Sequence, residues 1–150
     1  MRAVIQRVKE ANVTIDGSRV AQINTGLVIL LGIEENDSVE DIAWMVSKVT
    51  AMRIFSDHEG KMNLALADIQ GRILVVSQCT LHASTKKGNR PSFIKAARPE
   101  TAIPLYEQFI TRTEEATQTK IEQGVFGADM QVALINDGPV TIILDSKQRE

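Results

Sequence analysis

Cys79 and His82 are the first residues in this 150-residue chain whose types and spacing could do chemistry. A cysteine thiolate beside a histidine imidazole is an activated nucleophile. The apolar run before them predicts a β-strand over residues 73–81, and residues three apart in a strand point to opposite faces. The two side chains then do not meet. We therefore expect Cys79 to lie in the core and His82 at the surface.

The second candidate is the polar segment Ser77-Gln78-Cys79-Thr80, which ends the same apolar strand. Polar groups at the end of a buried strand must find hydrogen-bond partners or face a cleft. The pattern leaves two interpretations open. The hydroxyl groups cap the end of the strand, or the segment forms the wall of a binding site.

The third candidate is the segment 136–141, Asn-Asp-Gly-Pro-Val-Thr, which has the composition of a hairpin turn. An ordinary turn of this kind needs no function. The pair Gly138-Pro139 is nevertheless informative, because an X-Pro bond is where a cis peptide occurs at tolerable cost.

A stretch without acidic residues runs from Ser84 to Arg98. It carries a charge of +5, which leaves −7 for the rest of this chain of net charge −2, and its bases are Lys86, Lys87, Arg90, Lys95 and Arg98. A local basic patch on an acidic body suits a partner that presents phosphate at one place only. The alternative is a solvated basic loop without a function.

Composition narrows the class of protein. With 43 % hydrophobic and 24 % charged residues, the chain is typical of one globular domain spanning residues 1–150. The single cysteine excludes an internal disulfide, and with only two histidines the sequence predicts no metal site. The N-terminus is too polar for a signal peptide, and the longest apolar run, 27–31, is too short to span a bilayer. We expect a cytoplasmic protein that has no membrane partner.

The elements that position these residues follow from periodicity and turn signals. A hairpin is expected from Arg2 to Ile15 and back over 20–23, followed by a central strand over 26–33. A capping box at Ser38–Asp41 opens a helix that ends near Arg53, and Pro99 opens a second that ends near Gln118.

Further strands are expected over 62–66 and 73–81, and a final hairpin over 130–135 and 140–144, with a frayed tail over 146–150. Two helices and about seven strands without regular alternation predict an α+β fold with a mixed or largely antiparallel sheet.

These segments together resemble the D-aminoacyl-tRNA deacylase family, also called D-tyrosyl-tRNA deacylases. The resemblance covers essentially the whole chain, and its most specific parts are Ser77–Leu81, Ala128–Val132 and Asn136–Thr141. Further matching segments are Ala3–Val8, Arg53–Asp57, Gly60–Leu64 and Gly88–Phe93. One departure is Cys79, where the family usually has phenylalanine.

The resemblance implies a homodimer of layered, crossed, barrel-like sheets with the helices on one side and an active site at the subunit interface. It implies that Gly138-Pro139 is a cis peptide that enters the partner's pocket and excludes L-amino acids, and that Arg7 holds this motif in place. The implied catalytic segment is Ser77, Gln78, Cys79 and Thr80.

The implied reaction is hydrolysis of the ester that joins a D-amino acid to the terminal ribose of tRNA, without a cofactor. Backbone amides at 78–80 are the expected oxyanion donors. No histidine or lysine lies beside Thr80 in sequence to take its proton. We therefore expect Thr80 to position substrate or water, while the ribose 2′-hydroxyl assists the water that attacks the ester. Lys86, Lys87 and Arg90 are expected to hold RNA phosphates, with no DNA partner.

Three points stay open at this stage. Glycine on a non-cognate tRNA is a further substrate that the resemblance allows. A non-catalytic module that only holds aminoacyl-tRNA ends and a hydrolase that uses Cys79 as nucleophile are the alternatives.

Overall fold

The computed structural model describes all residues, 1–150, and contains eight strands and two α-helices. The strands are β1 Arg2–Ile15, β2 Ser18–Ile23, β3 Gly26–Gly32, β4 Phe55–Ser56, β5 Met62–Leu64, β6 Arg72–Ser77, β7 Glu122–Gln123 and β8 Gln131–Asp145. The helices are α1 Val39–Ala51 and α2 Pro99–Thr117, and two short 3₁₀ turns cover Leu66–Ile69 and Cys79–His82.

Strand β1 organises the main sheet, whose order is β2-β1-β3-β6-β7 with β8 also paired to β1. The pairs of β1 with β2, β3 and β8 are antiparallel, whereas β3 with β6 and β6 with β7 are parallel. Strand β3 therefore lies inside the sheet, as its continuous apolar run predicts. The α+β fold with a mixed sheet is confirmed.

The sheet has an apolar cluster on each face. Alternate residues Leu27, Ile29 and Leu31 of β3 join a 20-residue cluster that also contains the buried faces of α1 and α2. Val28 points the other way, into a smaller cluster of eight residues that includes Leu74 and Val76 of β6. The period of two thus places both helices on one side of the sheet.

The helix boundaries follow the signals in the sequence. At the start of α1 the amide of Ser38 donates a hydrogen bond to the carboxylate of Asp41 at 2.8 Å, which is one half of a capping box. Pro99 stands at the first position of α2, where the missing N–H costs nothing. Neither helix has the length and apolar character that crossing a membrane requires.

The expected final hairpin is wrong. Residues 131–145 form one long strand, β8, that runs antiparallel to β1 along nearly its whole length. Gln6 pairs with Thr141, and Val8 pairs with Asn136. Between these two pairs β8 contains more residues than β1, so the segment around Gly138 bulges out of the strand. The turn-like composition therefore marks a bulge within a strand.

Two expected strands end early. The strand expected over 62–66 stops at Leu64, and a 3₁₀ turn follows at Leu66–Ile69. The strand expected over 73–81 stops at Ser77, and the chain turns at Cys79–His82. In the second case Leu81 and His82, which follow the polar segment, pack against Gly32 at the end of β3.

The expected frayed tail is also wrong at its start. Ser146 is buried, and its hydroxyl donates a hydrogen bond to Asp41 at 2.6 Å. The Lys147 ammonium donates to the same carboxylate at 3.1 Å. These contacts fasten the end of β8 to the first turn of α1.

Asp41 is the charged centre of this junction. Burial by itself raises the pKa of Asp41, but the hydrogen bonds from Ser146, Ser38 and Lys147 outweigh it and hold the pKa well below its usual range. A carboxylate whose pKa is lower in the folded chain than in the unfolded chain stabilises the fold above the unfolded-state pKa, and this stabilisation is lost as the pH falls toward the folded-state pKa.

We predict that Asp41→Asn lowers the free energy of unfolding at pH 7 by about 1.5 to 3 kcal/mol, because charge-assisted hydrogen bonds are lost at a buried site. The difference from the unaltered chain should shrink as the pH falls below about 4, where unfolded aspartate takes up a proton. Urea unfolding between pH 7 and pH 3 measures it. Glu40→Gln, an exposed neighbour in the same helical turn, is the control, and a difference that stays constant with pH would contradict the prediction.

Candidate active site

The turn Cys79–His82, called the site turn below, begins where β6 ends. The amide of Gln78 donates to the carbonyl of Leu31 at 2.7 Å, which fixes the start of the turn against β3. Within the turn, the amide of Leu81 donates to Gln78 and the amide of Ala83 donates to Thr80, at 3.2 and 3.1 Å. The polar segment predicted from sequence is therefore a tight turn on the end of a parallel strand pair.

Gly32 allows the site turn to lie this close to β3. A Cβ atom at position 32 would lie 2.9 Å from the carbonyl oxygen of Gln78 and 2.9 Å from the Cβ of Leu81. Real Cβ atoms tolerate neither distance without a shift of the neighbour. The glycine at the end of the apolar run of β3 thus sets the position of the turn.

A cavity of about 320 Å³ opens beside the turn. Ser77, Gln78 and Cys79 line one side of it, and much of the remaining wall is apolar, from Leu31, Ile33, Val76, Phe126, Met130 and Val132. Asp129 is its one charged lining residue. A mostly apolar cavity lined by a few polar groups is the usual form of a small-molecule site.

The structure reverses the expected burial of Cys79 and His82. Cys79 is an exposed free thiol, and His82 is 1 % exposed. The two lie in a 3₁₀ turn and not in a strand, so the argument from alternating faces does not apply. Neither ring nitrogen of His82 has a hydrogen-bond partner in the protein, and the nearest charge is Glu34, 3.7 Å from Nδ1. His82 therefore does not act on the Cys79 thiol in this arrangement.

The other polar groups of the turn are engaged with one another. The side-chain amide of Gln78 donates a hydrogen bond to the hydroxyl of Thr80. Thr80 is exposed and does not line the cavity, unlike Ser77, Gln78 and Cys79. Since the backbone amide of Gln78 is occupied by Leu31, the amides at 79 and 80, the first of the turn, are the ones left without a partner inside it.

Gly138 and Pro139 lie in the bulge of β8, and the peptide bond between them is cis. Both residues are exposed, and neither lines the cavity of its own chain. The side-chain oxygen of Asn136 accepts a hydrogen bond from the amide of Val140 at 2.8 Å, which closes the bulge across its base.

Arg7 holds the same bulge from β1. Its guanidinium is buried and donates to the carbonyl of Asp137 at 2.9 Å and to the carbonyl of Ile54 at 2.7 Å. It thereby ties the bulge to the segment between α1 and β4. The planar fork of arginine suits two carbonyl acceptors in this way.

The basic loop projects beyond the site turn. Paired backbone hydrogen bonds between Ser84 and Ser92, at 2.8 and 2.9 Å, close its base. Lys86, Lys87 and Arg90 are exposed within it, and none of them forms an ion pair. Their charges are free to meet an anion.

Metal binding would require several ligand side chains close together. No group of three or more His, Cys, Asp or Glu side chains is placed to hold a metal ion.

Phe126, on the cavity wall, lies in an irregular segment between β7 and β8, where no periodicity marks a buried side chain. The role of Gly32 could be suspected only from a glycine that interrupts an apolar run.

Comparison with known proteins gives a consistent family. The family described as D-Tyr-tRNA(Tyr) deacylase matches residues 4–145. The D-aminoacyl-tRNA deacylases of Cytophaga hutchinsonii and Flavobacterium johnsoniae are 61 % and 57 % identical to the chain over 150 residues, which is all of this chain and all of each relative.

Two solved structures share the fold. One described as a c-Myc DNA unwinding element binding protein has a TM-score of 0.90 at 40 % identity, over 97 % of this chain and 98 % of that one. One described as a probable eukaryotic D-amino acid tRNA deacylase has a TM-score of 0.79 over 95 % of this chain and 97 % of that one. At 16 % identity, the second likeness concerns the fold alone.

We predict that the thiol of Cys79 reacts fully with a small aromatic disulfide reagent in the folded protein, because it is exposed at the edge of the cavity. The release of one equivalent of reporter thiolate is the measurement, with the urea-unfolded chain as the control. Reaction that occurs only after unfolding would contradict the exposure of the thiol in the folded protein.

Proposed function

The chain belongs to the D-Tyr-tRNA(Tyr) deacylase family, and from this premise we propose that it hydrolyses the ester of D-aminoacyl-tRNA in the cavity beside Ser77–Cys79. Deacylation of D-aminoacyl-tRNA follows from the family and from full-length relatives that carry this activity in their names. Our proposal concerns where in the chain the ester is hydrolysed, by which mechanism, and how L-aminoacyl-tRNA is rejected. We place the reaction in the cytoplasm and assign it to one domain, residues 1–150.

The observation that carries the proposal is the site turn at the edge of a mostly apolar cavity. An aminoacyl ester is already activated, so hydrolysis requires chiefly that the developing oxyanion meet fixed donors. The backbone amides of Cys79 and Thr80 are such donors, and loss of one oxyanion donor typically costs about 10² to 10³ in rate. The amide of Gln78, expected as a third donor, is used by Leu31.

The arrangement favours substrate assistance over a nucleophile from the protein. The hydroxyl of Thr80 is hydrogen-bonded to Gln78, and no imidazole or amine contacts it. His82 is buried with its nitrogens unpartnered, so it offers no base to the turn. The neighbouring 2′-hydroxyl of the terminal ribose then supplies the group that directs a water at the ester, while Thr80 positions the turn.

We propose that a second copy of the chain completes the site. Gly138 and Pro139 are exposed, directly follow the Asp137 carbonyl that Arg7 holds, and are absent from the cavity of their own chain. Backbone atoms contributed by a partner's bulge would face the Cα of the amino acid, where side-chain variety does not matter. An L-amino acid would then direct its side chain into backbone and be excluded, whereas glycine on a non-cognate tRNA would be admitted.

The basic loop supplies a place for the RNA. Lys86, Lys87 and Arg90 are exposed and unpaired, and contacts to phosphate position RNA without reading its sequence. This suits an enzyme that acts on many tRNAs. No cofactor takes part in the proposed reaction.

A cysteine-dependent hydrolase is the second candidate that an observation favours, since Cys79 is exposed at the cavity. A module that only holds aminoacyl-tRNA ends is the third. One experiment separates all three: incubation of the chain and of Cys79→Ala with D-tyrosyl-tRNA and L-tyrosyl-tRNA. We expect both proteins to release D-tyrosine and to spare the L-ester. A thousandfold loss in Cys79→Ala would favour the cysteine mechanism, and no release by either protein would favour the binding module.

We predict that replacing Lys86, Lys87 and Arg90 together by alanine weakens tRNA binding and flattens its salt dependence. Each lost phosphate contact should lower the slope of log affinity against log salt by about 0.7 to 0.9. Filter binding between 50 and 200 mM salt, roughly the range where such effects are large, measures the slope.

The control replaces three exposed lysines elsewhere, Lys48, Lys61 and Lys120, of which the last two form surface ion pairs with Glu59 and Glu122. Duplex DNA of equal charge is added as a competitor of tRNA in the same assay, because the structural neighbour at 40 % identity is named as a DNA unwinding element binding protein. A slope that is the same in both triple variants would show that the loop is not the phosphate site.

We predict that Gly138→Ala lowers the rate on D-aminoacyl-tRNA by on the order of 10²-fold, the cost of a displacement of about 1 Å at a site. At position 138 the φ of +136° is unfavourable for alanine, and its Cβ would lie 2.9 Å from a guanidinium nitrogen of Arg7. Single-turnover kinetics measures the loss.

Gly17→Ala is the control for this variant. It has a φ of +78° with no atom within 4 Å of the added Cβ, so it introduces backbone strain alone, in the β1–β2 turn. Equal rates for the two variants would show that the bulge does not take part in the reaction.

A further inference from the structure

Arg2 makes a second contact from β1 to the functional part of the chain, and nothing in the proposed mechanism uses it. Its Nε donates to a carboxylate oxygen of Asp145 at 2.9 Å, and its terminal nitrogen donates to the carbonyl of Leu81 at 3.0 Å. Leu81 lies inside the site turn. One guanidinium therefore joins the end of β8 to the turn that carries the candidate oxyanion donors.

The contact with Asp145 gives the guanidinium a fixed direction. Arg2 and Asp145 are register partners in the β1–β8 pair, and the second carboxylate oxygen accepts the amide of Lys147 at 2.9 Å. Burial by itself raises the pKa of Asp145, but the hydrogen bonds from Arg2 and from the Lys147 amide hold it below its usual range. The pair therefore stays charged at neutral pH, and Arg2 is held on both sides.

The site turn has one anchor at each end. At its start the amide of Gln78 is held by Leu31, and near its end the carbonyl of Leu81 is held by Arg2. Gly32 packs between these anchors and lies opposite Arg2 in the β1–β3 register. The first anchor is backbone and survives any substitution of a side chain, but the second depends on Arg2 alone.

We propose that Arg2 is a positioning residue for the site turn: by holding the Leu81 carbonyl, it sets the direction of the amides of Cys79 and Thr80 toward the cavity. The inference rests on the proposed function of those amides. A planar guanidinium serves the carboxylate and the carbonyl at once, and a lysine ammonium at this position would not reproduce the fork. Arg2 itself does not line the cavity beside the turn.

The test compares Arg2→Met with Arg72→Met, below the unfolding temperature of both. Arg72 is a matched control, because its guanidinium also donates to a backbone carbonyl, that of Lys120 at 3.0 Å, but at the opposite end of β6. With D-tyrosyl-tRNA we expect kcat to fall by about 10- to 100-fold in Arg2→Met with little change in KM, and to be preserved in Arg72→Met. Arg2→Lys should fall between, and it replaces Arg2→Met if that variant does not fold.

Amide hydrogen exchange tests the same point without the reaction. In Arg2→Met and Arg2→Lys the amides of Leu81 and Ala83 should exchange at least several-fold faster, while those of β3 and α1 keep their rates. Unchanged exchange in the turn, an increase spread over the whole sheet, or an unchanged kcat would each overturn the role of Arg2. An unaltered protein that leaves D-tyrosyl-tRNA intact would instead overturn the proposed function, and the exchange rates would still decide whether Arg2 holds the turn.

Discussion

The pairing of β1 along both of its edges is the constraint on which the rest of the structure depends. One edge pairs first with β3 and then with β2, and the other pairs with β8 over almost the full length. A strand held on both sides cannot slide without moving every side chain to the wrong face. Arg2 and Arg7 are therefore fixed in place, and each donates to a backbone carbonyl of one part of the proposed site, the turn and the bulge.

The groups proposed to act on the ester are mainly backbone groups. Gly32 lets the site turn pack against β3, Gly138 lets the bulge adopt its conformation, and the arginines hold carbonyls. The turn offers no accessible imidazole, because its one histidine, His82, is buried with both ring nitrogens unpartnered. Such a site suits an activated ester, where fixed dipoles stabilise the developing charge and little proton transfer is asked of the protein.

The sequence predicted well wherever a local signal decides the structure. The hairpin turn expected after Ile15, the capping box at Ser38 and the proline at the start of α2 each mark a boundary that the structure keeps. It predicted poorly where a long-range contact overrides the local signal. Asn136–Pro139 reads as a hairpin turn, but pairing with β1 on both sides of it continues the strand.

The same cause explains the errors at the site. Residues 73–81 were expected to form one strand, but the chain turns after Ser77 so that Leu81 and His82 pack against Gly32 of β3. Periodicity within one segment does not contain this contact. The burial of Cys79 and His82 was inverted for this reason. The buried start of the tail likewise depends on Asp41, 105 residues away. Residue types and spacing pointed to the candidate segments, the family resemblance supplied their roles and Arg7, and their spatial relations came only from the fold.

The central claim is that the ester carbonyl lies against the first amides of the site turn, with a second chain's bulge facing the amino-acid Cα. The most direct measurement is a crystal structure of the protein with D-tyrosine joined by an amide to 3′-amino-adenosine, which is not hydrolysed. We expect the carbonyl oxygen at about 3 Å from the amide nitrogen of Cys79 or Thr80, with Gly138 of a second copy beside the Cα. A ligand outside the cavity, or one enclosed by residues of a single chain, would contradict it.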